Sequence, residues 1–360
     1  MTAGDPAPRP LFVTDDDVLL DDLLRLAAGA GVSPDLAADA PAARRYWSSA
    51  PLVLVGADLV DAVIRTDPLR RDGVCMVTRD PDDASVWRRA VDVGAETVVA
   101  LPAGEAILRE LLADTVDGGP ASAVTLSVVG GCGGAGASVL ASALGVVAAA
   151  RQLRTLLVDG DPLGGGIDLV LGGEKTNGLR WPDLIGTSGR VSAPTLRAAL
   201  PDICALAVLS WDRGDLLNVP ADLMRAVIAA GQRGGDLVVI DLPRRLDAAV
   251  EEALVRSTSA LLVVPAQVRA VAAAARVARQ LRPVAPDLRL VVRGPSPSGL
   301  DGHVVADTLD LPLAAEMRAQ RSLDDALELG HGPSLRPRDP LTGACARVLD
   351  GYRLVGKAAA

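Results

Sequence analysis

Between Leu11 and Gly294, short apolar runs alternate with amphipathic stretches of helical period, and that alternation leaves few folds open. A strand written as an unbroken apolar run must be covered on both faces, the signature of a parallel sheet with helical crossovers. PLFVT (10–14), PLVLVG (51–56), GVCMVT (73–78) and ETVVAL (96–101) read as such strands. DDVLLDDLLRLAAGAG (16–31), ASVWRRAVDVGA (84–95) and AGEAILRELLAD (103–114) read as helices beside them. TVDGGPAS (115–122) carries the Gly/Pro/Ser composition of a linker. A second series follows, with strands at AVTLSVVGG, TLLVDGD, CALAVLSW, DLVVIDLP, ALLVVPA and LRLVVRG. Its helices are expected after Ser138, from Pro220 to Ala230 and from Gln267 to Arg282. The expected organisation is a flexible lead-in (1–10), a first α/β domain (11–114), the linker, and a second α/β domain (123–360).

A chain of 360 residues accommodates two cores. Aromatics make up 2% of it, so those cores must be close-packed Leu, Val and Ala. The net charge of −9 argues against strong nonspecific nucleic-acid binding, which needs a basic footprint. Cys75, Cys132, Cys204 and Cys345 form no C-x-x-C pair, as expected of reduced thiols in a cytoplasmic protein. No apolar run reaches the roughly 20 residues of a transmembrane helix.

The chemistry concentrates at Gly130–Ser138, GGCGGAGAS, which joins a buried-strand pattern to a helix pattern. From Gly131 it reads G-x-x-x-x-G-A-S, one residue from the phosphate-loop pattern G-x-x-x-x-G-K-[ST]. Gly131, Gly133, Gly134 and Gly136 would let main-chain N–H groups approach phosphate oxygens, and Ser138 would place its hydroxyl on Mg²⁺. The loop alone fits a tight turn in a doubly wound sheet equally well. Two further segments separate these readings. Asp159 and Asp161 end one apolar strand, and Asp241 ends another, where a Mg²⁺-orienting carboxylate belongs.

In this order, the segments resemble the MinD/ParA class of deviant-Walker ATPases over about residues 123–355. The family loop, KGGxGK[ST], is matched by Gly133, Gly134, Ala135, Gly136 and Ser138. Cys132 stands at the family's signature lysine and Ala137 at its ordinary loop lysine. The resemblance places Asp161 in switch I, as a catalytic candidate, and Asp241 at the switch II aspartate. Half of the family's base-contacting Asn-Arg pair is kept, as Val292-Arg293. It implies ATP or ADP with Mg²⁺ as cofactor, bound by Gly131, Gly133–Ser138 and Arg293, with Ser138 and Asp241 toward the metal. NGLRWPDL (177–184), VLSWDRG (208–214) and DLPRR (241–245) are similar to the CpaE/TadZ-like branch, and within it to the actinobacterial septum site-determining proteins. The fold class expected is α/β: a receiver-like N-terminal domain and a doubly wound, parallel-sheet P-loop domain.

The chain contains 34 arginines and two lysines, Lys175 and Lys357, so no ammonium can serve the loop from nearby. Each charge-assisted hydrogen bond to phosphate contributes roughly 1.5–3 kcal/mol. Without both lysines, nucleotide affinity should fall on the order of a hundredfold or more, and hydrolysis with it. Arg244 and Arg245 beside Asp241 are candidates to replace one charge, against a plain surface role. Cys132 is read as a small tolerated residue.

In the receiver-like half, Asp15, Asp16 and Asp17 follow the first strand where an acidic Mg²⁺ pair would lie. The strand that should present a phosphoacceptor ends in Val55-Gly56, with Asp58 displaced, and Leu101-Pro102 replaces the receiver's Lys-Pro. An interaction or dimerisation module is expected, with the three aspartates as a helix cap and its first-turn acids. The last amphipathic stretch has Cys345, Val348, Leu349, Tyr352 and Val355 at helical spacing, with Arg347, Arg353 and Lys357. The resemblance leaves peripheral membrane association open for it; docking on its own domain fits the residues better.

Three functions compete. The resemblance implies a regulator of septum placement, acting as a homodimer with division proteins at the septum or pole. A polar localisation factor for Tad pilus or secretion assembly uses the same scaffold. An active partitioning ATPase needs the lysine that this loop lacks.

Overall fold

The computed structural model describes residues 9–80, 83, 85–116, 123–185, 191–214, 218–296, 299–320, 322–333, 336 and 338–354. Most of the expected lead-in (1–8) and linker (117–122) lies outside these residues, as do Val355 and Lys357. The chain divides into two compact units, Met1–Pro120 and Ala121–Ala360.

The first unit alternates strand and helix: β1 (Leu11–Val13), α1 (Asp17–Gly29), β2 (Asp35–Ala37), α2 (Ala40–Ala43), β3 (Val53–Gly56), α3 (Val60–Ile64), β4 (Val74–Thr78), α4 (Val86–Val93), β5 (Thr97–Ala100) and α5 (Glu105–Val116). The strands are parallel, in the order β2-β1-β3-β4-β5, which is the order of receiver-like folds. Both sheet faces are covered. Leu11, Val13, Val53, Val55 and Met76 point into one core, and Phe12, Leu54, Cys75 and Val77 into the other. Asp16 caps α1, accepting from the amides of Val18 and Leu19, and Asp17 lies in its first turn, as expected of those two, while Asp15 precedes the cap and donates its amide to Asp58. β2 and α3, three and five residues long, are too short to show a period in the sequence.

The second unit contains β6 (Val124–Gly130), α6 (Ala137–Ala150), β7 (Thr155–Asp159), α7 (Ile167–Val170), α8 (Trp181–Leu184), α9 (Ala193–Ala199), β8 (Asp202–Ile203), β9 (Leu206–Leu209), α10 (Ala221–Gly234), β10 (Leu237–Leu242), α11 (Ala248–Val255), β11 (Ser259–Pro265), α12 (Val268–Leu281), β12 (Leu288–Gly294), α13 (Gly302–Leu309), β13 (Leu313–Arg318), α14 (Leu323–Glu328) and α15 (Pro340–Gly351). The sheet order is β13-β12-β11-β6-β10-β7-β9-β8, parallel except for the β8–β9 hairpin. Period-2 alternation sends Val129, Val158, Ile240 and Leu262 to one face, and Leu126, Val128, Leu157 and Val239 to the other. The second face is closed by α6 and α15. Leu341, Ala344, Cys345, Val348 and Leu349 of α15 are buried there, so this amphipathic helix spends its apolar side on its own domain. Among the described residues, no helix is long and apolar enough to cross a membrane.

The topology positions the site. β6 lies between β11 and β10, and β10 lies between β6 and β7. The carboxyl ends of β6, β7 and β10 therefore meet at one edge of the sheet, the usual place for ligands in open α/β folds.

Candidate functional site

The loop between β6 and α6 is built on glycines at three tight points. Gly131 donates its amide to Val263 (2.8 Å), and a Cβ there would come within 2.8 Å of the Ala274 Cβ. Gly134 and Gly136 adopt φ of +67° and +95°, a region that β-carbons disfavour. Ala135 tucks underneath, 2% exposed, while Gly133 and Gly134 face solvent. Among the described residues, no main-chain N–H from Cys132 to Ser138 has a hydrogen-bond acceptor. Unsatisfied amides in succession at the start of a 14-residue helix form an anion-attracting concavity.

Ser138, in the first turn of α6, has its hydroxyl near the Asp241 carboxylate. Asp241, next to last in β10, is level with Asp159 on β7 and Val128 on β6, and is 3% exposed. Burial pushes its carboxyl up to about 7; the Ser138 hydroxyl opposes this, and the nearby Asp159 and Asp161 add to it. Asp161 is partly exposed at the start of the next turn, where its carboxylate accepts from the Leu163 amide (3.1 Å). The structure thus brings Ser138, Asp241 and Asp161 to the same edge as the loop.

Asp159 has a different surrounding. Its carboxylate accepts from the Ile167 amide (3.0 Å), the Ser210 hydroxyl (2.7 Å) and the Asp161 amide (3.2 Å). Burial nevertheless raises its carboxyl to about 6. Its carbonyl oxygen accepts from both Trp181 Nε1 (2.7 Å) and Trp211 Nε1 (3.1 Å), with the rings 6.0 Å apart. Nearby, Asp168 is held by Arg213 (3.1 Å) and Arg180 (3.8 Å). The segments NGLRWPDL and VLSWDRG are therefore the braces of the β7–α7 turn, a role their sequence did not disclose.

Arginines flank the loop from both sides of β6. A Cβ built on Gly136 would lie 3.3 Å from Arg293 Nη1, and one on Gly133 would lie 3.9 Å from Arg244 Nη2. Arg293 comes from β12 and Arg244 from the turn after β10. Neither guanidinium has an ion-pair or hydrogen-bond partner among the described residues. Arg293 and Gly136 also line a cleft of about 360 Å³, together with Gln267, Met317 and Gln320. Cys132 packs partly against the core. Arg245 is exposed, and no contact to the loop distinguishes it.

The corresponding edge of the first unit is closed. The Asp58 carboxylate accepts from the Thr14 hydroxyl (2.9 Å) and the Asp15 amide (2.7 Å). A Cβ on Gly56 would fall 2.1 Å from Asp58 Oδ1, so Asp58 fills the space that a side chain at position 56 would take. Arg89 of α4 donates to the Ala57 carbonyl (3.1 Å) and pairs with Asp83.

Residues 13–123 match the family described as Rv3660c-like, CheY-like N-terminal domain. The protein named "Uncharacterized protein Rv3660c" of Mycobacterium tuberculosis strain H37Rv is 44% identical over 339 residues, 93% of this chain and 95% of that one. Its counterpart in strain CDC 1551 matches equally. Among solved structures, a ParA family ATPase from Chlorobium tepidum superposes with a TM-score of 0.56 at 14% identity, over 62% of this chain and 96% of that one. The MinC:MinD cell division protein complex of Aquifex aeolicus gives 0.55 at 20% identity, over 66% and 98%. At these identities the likeness is one of fold. The chain belongs to the Rv3660c-like family, in which a CheY-like amino-terminal domain precedes a domain of MinD/ParA-like fold.

Proposed function

We propose that this protein is a cytoplasmic regulator of septum placement whose second domain binds ATP or ADP with Mg²⁺ weakly and hydrolyses it little. Nucleotide sets the assembly of a homodimer and its affinity for division proteins at the septum or pole. One observation carries the nucleotide part: open amides from Cys132 to Ser138, with the Ser138 hydroxyl turned to the buried Asp241. Gly131 and Gly133–Ser138 cradle the phosphates, Arg293 borders the cleft beside them, and Ser138 with Asp241 would hold Mg²⁺. A hydroxyl, one carboxylate and phosphate oxygens are a suitable donor set for that ion, which supplies charge neutralisation when bound. Asp161 stands on the far side of Asp241 as the candidate to orient water. No ammonium serves the loop from its own sequence, so transition-state charge is poorly met and turnover is slow.

The cell-division role is supported by the resemblance of the switch and tryptophan segments to septum site-determining proteins, and by the shared fold with a MinD from a cell-division complex. Calorimetry with Mg-ATP on the wild type and Ser138→Ala tests the site. Turnover equal to that of an intact P-loop ATPase would refute the weak-hydrolysis reading. In cells, filamentation on overexpression supports the septum role.

The same tryptophan segments, folded around Asp159, favour a second reading: a polar localisation factor for Tad pilus or secretion assembly. Adjacent pilin and secretion-ATPase genes would select it.

A further inference from the structure

We propose that Arg244 supplies, from within the same chain, the positive charge on the terminal phosphate that the loop lacks, so that the site prefers a nucleoside triphosphate to a diphosphate. This inference rests on the nucleotide reading above and names the residue that gives it selectivity. The electrostatics require such a group. Asp159, Asp161 and Asp241 converge on the edge where a polyphosphate would sit, and helix-terminal amides offset only about half an elementary charge. One divalent ion cannot neutralise both the carboxylates and a triphosphate.

Among the candidates of the sequence, only Arg244 is shown beside the exposed front of the loop, 3.9 Å from the Cβ position of Gly133. It stands three residues beyond Asp241 on the connection leaving β10, so the strand that would orient the metal also delivers the cation. Its guanidinium has no partner among the described residues. An arginine that merely covered the surface would have no reason to lie over a glycine whose neighbours' amides lack acceptors. Arg293 reaches the same loop at Gly136, from β12 on the opposite side of β6. The two guanidiniums therefore have separate tasks: Arg293 faces the cleft, and Arg244 faces the solvent end where a terminal phosphate would project. A planar fork can engage two oxygens of that phosphate at once. Because the charge comes from the same copy, binding does not wait for a second chain to complete the site.

The test is calorimetric titration of the full chain with Mg-ATP and with Mg-ADP, using the wild type, Arg244→Ala and Arg244→Lys. Arg244→Ala should weaken Mg-ATP by about 10- to 100-fold and Mg-ADP by less than about threefold, with partial recovery in Arg244→Lys. The change in the ATP-to-ADP ratio is the signature that a structural role would not produce, and thermal melting checks that the variants fold. Equal losses for both nucleotides, or no loss for ATP, overturn the role of Arg244 and leave the nucleotide site standing. Failure of the wild type to bind either nucleotide overturns both. Recovery of Mg-ATP affinity when Arg244→Ala is mixed with a loop-blocked Gly136→Val chain that keeps Arg244 assigns the charge to a second copy and overturns the single-chain clause.

Discussion

At the carboxyl end of β1 and β3, Asp58 takes the hydroxyl of Thr14 and the amide of Asp15, and Arg89 covers the next carbonyl. At the carboxyl end of β6 and β10, seven successive residues from Cys132 to Ser138 present amides without acceptors, and two arginines beside them are unpartnered among the described residues. Both are edges of parallel sheets, where the topology gathers strand ends and loop amides. In the first unit the chain satisfies those groups itself, by folding back a carboxylate two residues past the strand. In the second it leaves them open. The open amides stand at or near solvent, where an anion can replace water, so the contrast singles out the second edge as the one suited to the proposed ligand and the first as a sealed module.

The largest effect expected from that contrast is electrostatic. The Asp241 carboxyl is raised to about 7 from an ordinary 3.8. A raised carboxyl means that the folded state holds its proton more tightly than the unfolded one. Its contribution is therefore most favourable below about pH 4, declines as pH rises toward 7 and stays flat above, a difference on the order of 4 kcal/mol. Asp159, raised to about 6, acts in the same direction. Denaturant melts without Mg²⁺ across this range should show Asp241→Asn losing most of the decline. A wild-type and variant pair with parallel pH profiles would mean that the second edge is not strained as described.

Gly136→Val should come next. Its φ of +95° disfavours a β-branched residue, whose side chain would also press on Arg293, and Mg-nucleotide affinity should drop on the order of a hundredfold. Circular dichroism distinguishes a blocked loop from an unfolded domain.

Asp58→Ala probes the closed edge. Removing both of its acceptor contacts should cost about 1–2 kcal/mol in the first unit's melting and leave nucleotide titrations unchanged. Incubation with acetyl phosphate should leave the mass of the wild type unaltered; a stable phosphoryl adduct on Asp58 would erase the distinction between the two edges.

The smallest effect lies away from both. Cys204 and Ala205 turn the β8–β9 hairpin with φ of +56° and +63°, values that favour glycine. Ala205→Gly should stabilise the second unit by about 1 kcal/mol and change neither edge.

What the sequence disclosed follows from range. β6, β7 and β10 announced themselves because strands buried on both faces must be continuous apolar runs. Ser138 and Asp241 could be picked out because each sits at a fixed offset from such a run. β2 was not legible, since three residues reading DLA carry no pattern. Neither was the return of Asp58 to β1, which depends on the turn after β3 across 44 residues of separation. Trp181 and Trp211 were visible as unusual words, yet their meeting on one carbonyl depends on contacts spanning 22 and 52 residues. Arg244 was a candidate by adjacency to Asp241, and only the fold shows that its exposed side chain lies beside Gly133.

The paired indoles on the Asp159 carbonyl have a practical consequence. Two of the four tryptophans in the chain are tethered to the backbone two residues before Asp161. Under the proposed nucleotide binding, a displacement of that turn that reaches the Asp159 carbonyl would stretch or release an indole hydrogen bond. Such a molecule would carry its own optical reporter, emission colour and intensity registering the proposed occupancy without a dye, a label or a turnover event.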